Sequence, residues 1–205
     1  LSPRLLTYLW LEGARFKPGD HRHVVATSDA LRHECEQAYP NVPVEVIAPG
    51  VHVPIASIDA VHARRQLGLP HPGTLLLFVA NDYARKGLDA LLEALPQLPN
   101  DVHLAVVGSR GQQDHYEVIV KRRELSERVH FLGPLNAVSL AYQAADALVH
   151  PTLEDSYAMV VLEALAHGLP VVVSTHPRTQ KRVDATGAKF HPLVRLMKPL
   201  GFHDY

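Results

Sequence analysis

Between residues 75 and 174, short apolar runs of strand length alternate with segments whose apolar positions recur every three or four residues. Residues 75–80 form the first such run. In the segment that follows, Leu88, Leu91, Leu92 and Leu95 share one helical face, and Pro96 and Pro99 end the helix. The same alternation predicts strands over 102–107, 129–132, 147–150 and 170–174, with helices over 116–125, 137–145 and 158–167. Strands that are apolar throughout are those buried on both faces. Strand–helix alternation with short turns builds right-handed βαβ units around a parallel sheet. The pattern therefore predicts an α/β domain with a doubly wound parallel sheet.

Upstream the pattern is sparser. Residues 24–26 predict a short strand leading to Ser28, which is placed to cap a helix running to Ala38. Residues 44–47 predict another strand before the breaker Pro49-Gly50, and Ser57 is expected to cap a helix ending at Leu67. Two strands are too few for an independent sheet. Residues 1–50 thus read as the end of a preceding domain plus a connector, and 51–175 as the α/β domain. After Ser174 the alternation dissolves into a basic stretch containing Arg178, Lys181 and Arg182, so 176–205 are expected to be a tail outside the pattern. The chain starts with Leu1, and it is expected to be an interior piece of a longer polypeptide.

Composition narrows the function classes. Apolar residues make up 47% and charged residues 20% of the 205, the range of globular proteins. The single cysteine, Cys35, excludes a disulfide framework. A net charge of −1 gives no electrostatic argument for nucleic acid, and no apolar run approaches a membrane span. Fourteen histidines raise the question of a metal site, but none stands at the short spacings of zinc motifs, so no metal is expected. Asp-x-Asp, a P-loop and a G-x-S-x-G elbow are all missing from the sequence.

Ligands of open α/β sheets sit beyond the C-terminal strand ends, and four turns there carry candidate chemistry. Residues 81–87 place Arg85 and Lys86 side by side before Gly87, a phosphate cradle or else a solvated basic turn paired with Asp82 or Asp89. Gly108-Ser109-Arg110-Gly111 lacks the spacing of a dinucleotide fingerprint and reads as a strand-to-helix turn within reach of a ligand. Gly133-Pro134 could seat a planar base, or could be a plain turn with Asn136 as helix cap. The fourth, 154–164, leads into a helix that is apolar almost all round, with Glu163 inside it and Asp155 eight residues earlier. A charge in that setting must be paired or hydrogen-bonded; the choice is between a polyol ligand and, for Asp155, capping or, for Glu163, an internal salt bridge.

Together these turns resemble the C-terminal, donor-binding domain of the retaining GT-B glycosyltransferases, the family that includes bacterial lipopolysaccharide core glucosyltransferases. The carrying segments are 46–51, 81–88, 129–133 and 150–172, the last being the most specific. The resemblance implies the Rossmann-like second half of a GT-B fold and a metal-independent, retaining transfer of sugar from a nucleoside-diphosphate sugar to an acceptor hydroxyl, with no further cofactor. Arg85 and Lys86 would hold the diphosphate, Glu163 the ribose, and Asp155 the transferred sugar. Backbone groups of Tyr157, Ala158 and Met159 would line phosphate and sugar. Phe131, Leu132 and Gly133 would lie near the base and Gly108 beside the nucleotide.

The resemblance also implies a UDP-sugar rather than a GDP-sugar, and a saccharide or lipid-linked acceptor held by an N-terminal domain that this chain mostly lacks. It implies a role in glycan or lipopolysaccharide biosynthesis, a cytoplasmic location at the inner membrane face, and inactivity of this piece alone. A non-catalytic nucleotide-binding module and a sugar-nucleotide epimerase fragment are the alternatives on the same fold. Asp155 stands where the family more usually has Glu, and Ser156 and Ala158 where it often has Gly.

Overall fold

The computed structural model describes residues 2–17, 23–53, 58–152, 157–174, 187 and 189–197. The chain divides into two units, Leu1–Gly50 and Val51–Tyr205.

In the first unit a helix that the apolar pattern did not announce, α1 (Pro3–Arg15), starts at a Ser2 cap with Pro3 as its first residue. That is the position where a missing N–H costs nothing. Strand β1 (Val24–Ala26), helix α2 (Asp29–Ala38) and strand β2 (Val44–Val46) follow. Ser28 caps α2 as expected, its Oγ accepting from the Leu31 N–H at 3.2 Å. The two strands pair in parallel. Tyr39 stacks on Phe16 with ring centroids 4.3 Å apart and donates to Glu12 at 2.9 Å.

The second unit opens with α3 (Ala60–Leu67). Its cap is Asp59, which accepts from the His62 N–H at 2.9 Å; the expected cap, Ser57, lies outside the described residues. Strands β3 (Thr74–Ala80), β4 (Val102–Gly108), β5 (Val129–Gly133), β6 (Ala147–His150) and β7 (Val171–Ser174) then alternate with α4 (Leu88–Ala94), α5 (Gln113–Arg122), α6 (Ser139–Ala144) and α7 (Met159–Ala166). Helix boundaries in the later crossovers differ from expectation. A 3₁₀ turn over Arg110–Gln112 starts the β4–β5 crossover early, and α6 begins at Ser139 after Val138, so Asn136 does not cap it.

All pairings are parallel, in the order β5-β4-β3-β6-β7-β8. The last strand, β8 (Val194–Met197), lies in the stretch expected to fall outside the pattern and pairs with β7 along its length. Alternate residues of β3 feed two cores. Leu75 and Leu77 pack with Ala63, Ala141, Tyr142 and Ala164 on one face. Phe78 and Ala80 pack with Leu88, Leu92, Tyr116 and Val120 on the other. The doubly wound α/β sheet is thus as expected, with one strand more.

Candidate functional site

From β3 the chain winds outward through β4 to β5, then jumps back to place β6 on the other side of β3. The crossovers before and after that jump lie on opposite faces, so a crevice opens between the C-terminal ends of β3 and β6, where ligands of open α/β sheets bind. The turn after β3 carries Arg85 and Lys86, and β6 leads to α7.

Backbone contacts tie this edge together. Gly87 has φ +86°, and a Cβ there would lie 2.1 Å from the Pro151 carbonyl oxygen. The space that a side chain at position 87 would need is taken by the loop after β6. Gly108, at φ +142°, sits against β3 so closely that a Cβ would come within 1.7 Å of the Ala80 carbonyl oxygen. The 81–87 turn is further clamped by Gln112, whose Oε1 accepts from the Tyr83 N–H at 2.6 Å and whose Nε2 donates to Asp82 at 3.3 Å. Beneath it Tyr83 is fully buried, with Tyr116 edge-on at 5.6 Å and Phe131 at 6.3 Å.

Asp82 accepts from the Arg85 N–H at 3.1 Å, and its carboxylate lies 4.0 Å from the Arg85 Nε. The Arg85 N–H hydrogen bond, then the one from Gln112, hold the Asp82 carboxyl below its ordinary pKa despite some desolvation, with the charges of Arg85 and Lys86 adding to the effect. The Arg85 side chain is 60% exposed, and such exposed pairs hold weakly. An incoming diphosphate can compete for that guanidinium.

On the far side of β4, the β4–β5 register slips between Val106 and Val107, so that Val107 faces Gly133 and Leu132 is the extra residue. A bulge of this kind re-aims a strand end. It shapes a pocket of about 290 Å³ lined by Phe131, Leu132, Gly133, Arg110, Gln113 and Asp114. The sequence singled out Phe131, Leu132 and Gly133 but gave no reason to add Gln113 or Asp114, which lie a crossover away on α5.

Tyr157, Ala158 and Met159 stand at the start of α7, and Ala158 adopts a left-handed φ of +50° as the residue before the helix. Asp155 lies outside the described residues. Glu163 is half-buried on α7. A carboxylate kept for a ligand would be expected to stand without a strong protein partner, and the structure corrects this: the Tyr142 hydroxyl donates to the Glu163 Oε2 at 2.6 Å. Tyr142 was missed because its sequence context is that of any core aromatic. The one available signal was the requirement that a carboxylate in an apolar helix find a donor. Burial first, then the hydrogen bond to Glu163, push the phenol pKa far up, so Tyr142 stays a donor. Among the described residues no group of three or more His, Cys, Asp or Glu converges as a metal site would require.

The model of the family described as glycosyl transferases group 1 matches residues 60–191. The chain belongs to that family. It is 29% identical over 185 residues to the lipopolysaccharide glucosyltransferase WaaG of Escherichia coli K12, covering 85% of this chain and 49% of that protein. It is 31% identical over 196 residues to the D-inositol 3-phosphate glycosyltransferase of Xylanimonas cellulosilytica, covering 80% and 47%. The crystal structure of WaaG superposes with a TM-score of 0.78 at 25% identity, over 97% of this chain and 55% of that one. The chain spans about half the length of the curated relatives it matches. No helix among the described residues is long and apolar enough to cross a membrane.

Proposed function

We propose that this chain is the donor-binding half of a retaining, metal-independent glycosyltransferase that takes a nucleoside-diphosphate sugar. The observation that carries the reading is the meeting of the Gly87 turn with Pro151 at the switch point between β3 and β6, which sets Arg85 and Lys86 beside the loop leading into α7. The family membership and the similarity to two named glycosyltransferases support it.

In this reading the diphosphate lies against Arg85 and Lys86. As the bond to the sugar breaks, negative charge grows on the leaving phosphate, and fixed cations lower the barrier by stabilising it. The acceptor hydroxyl enters on the same face as the departing group. The base, uracil rather than guanine, occupies the pocket beside Phe131, Leu132 and Gly133, with Gly108 beneath the nucleotide. Glu163 accepts from the ribose. Asp155 and the backbone of Tyr157, Ala158 and Met159 serve the transferred sugar. The acceptor, a saccharide or lipid-linked glycan of an envelope pathway, is held by residues beyond this half at the inner membrane face. Positioning of that kind supplies on the order of 7–11 kcal/mol, so this chain alone is expected to bind donor without glycosylating an acceptor.

Titration calorimetry with UDP and GDP, with and without EDTA, tests the reading. Tighter binding of UDP that survives the chelator is expected. Loss of binding on chelation would overturn metal independence, and binding of neither nucleotide would overturn the donor site. Donor binding without transfer when an acceptor-side domain is supplied would leave a non-catalytic binding module.

A further inference from the structure

Glu163 projects from α7 as a half-buried carboxylate with one oxygen engaged. Oε2 accepts from Tyr142, and among the described residues Oε1 accepts no hydrogen bond. The group that holds it is itself held. Tyr142 is 2% exposed and its ring stacks on the His167 imidazole, centroids 5.0 Å apart and planes 27° from parallel. His167 is fixed at both nitrogens. Its Nδ1 lies 2.7 Å from the Glu163 carbonyl oxygen, which only accepts, so Nδ1 carries a proton. Its Nε2 lies 2.7 Å from the Ser139 hydroxyl oxygen. The chain Ser139–His167–Tyr142 thus runs from α6 to the C-terminal end of α7 and returns to the carboxylate.

A glutamate on a helix face has three side-chain torsions to order, and a free carboxylate would swing between orientations that bind a diol and orientations that do not. A buried phenol whose ring cannot tilt removes that freedom before any ligand arrives.

We propose that Tyr142 is a positioning residue for Glu163, presenting Oε1 to the vicinal hydroxyls of the ribose. The inference rests on the donor-site reading above, and it makes sugar discrimination in the nucleotide depend on a residue that does not touch it.

Two binding ratios test it with the full 205-residue chain: UDP against 2′-deoxy-UDP, and GDP against 2′-deoxy-GDP. A charge-assisted hydrogen bond to a hydroxyl predicts that the wild type prefers the ribonucleotide by about tenfold. Tyr142→Phe is expected to weaken UDP about fivefold while leaving 2′-deoxy-UDP within about twofold, so that the preference collapses. If Tyr142→Phe does not fold, Tyr142→Met fills a similar volume without the hydroxyl and is read by the same ratio. Equal weakening of ribo- and deoxynucleotide would show a purely structural staple and overturn the proposal, as would an unchanged ratio. A wild type that binds both nucleotides of a pair equally would overturn it while leaving the diphosphate site standing. Binding of none of the four would remove the donor-site reading and this inference with it.

Discussion

At the N-terminal ends of β3 and β6, the guanidinium of Arg64 is buried and spends its donors on the Ala144 carbonyl at 2.8 Å, the Gly73 carbonyl at 2.7 Å and the Asp146 carboxylate at 2.7 Å. The same Asp146 oxygen accepts from the Leu75 N–H at 2.7 Å. One edge over, Arg128 holds the Val102 and Pro99 carbonyls at 3.0 and 2.9 Å. At the C-terminal ends of the same strands the charged side chain of Arg85 is largely exposed, its one ion pair among the described residues 4.0 Å long, and the close contacts are made by glycine backbone. Arginine closes the first end upon itself and is left available at the second. The difference teaches that charge alone does not mark a site: a cation whose donors are all satisfied by the fold has nothing left for a ligand.

Substitutions at the two ends should therefore act on different measurements. Arg64→Ala strips Asp146 of its counter-ion and leaves two carbonyls unpaired. A loss of about 2–4 kcal/mol in chemical denaturation is expected, chiefly from the lost buried stem and the two carbonyls, and a loss below about 1 kcal/mol would erase the contrast. Gly108→Ala forces a Cβ into the Ala80 carbonyl, and strain of about 1–3 kcal/mol should lower stability together with nucleotide affinity. Lys86→Ala should leave the thermal midpoint in place and weaken UDP about tenfold or more, since charge-assisted bonds contribute about 1.5–3 kcal/mol; an unchanged dissociation constant would remove the phosphate assignment.

The smallest effect is a pH dependence at the closed end. His130 lies with its Nε2 3.2 Å from the Nδ1 of His103. Burial, then the neighbouring His103, lower its pKa below the ordinary histidine value, against an opposing pull from Glu127. The unfolded chain then binds more protons between the folded and unfolded pKa values. This contribution to stability is complete above about pH 6.5 and is lost as the pH falls through the folded value. His130→Gln should flatten that part of the midpoint-against-pH curve.

Strands β3, β4, β6 and β7 were legible because burial on both faces leaves their runs almost wholly apolar, with His103 the one polar residue inside β4. Strand β8 was not, since it is an edge strand whose exposed Arg195 breaks the pattern after one residue. The basic turn at Arg85 and Lys86 stood out because two cations side by side before a glycine at a strand end suit either an anion or a nearby carboxylate, and the structure puts one such carboxylate, Asp82, beside Arg85. Tyr142 and Gln112 were not legible. Their roles come from contacts 21 and 30 residues away in sequence, and spacing along a chain carries no record of which side chains a crossover brings face to face.

The glycine contacts also limit where the crevice can be altered. Position 87 admits no side chain without parting two backbones, and position 108 admits none without parting two strands. A directed-evolution library that randomises either one will be filled with destabilised members. Diversity is better drawn from positions 110, 113, 114 and 157–159, where side chains border open space or a loop end. The two glycines that shape the crevice are thereby its fixed frame, and any change in what the crevice holds has to proceed around them.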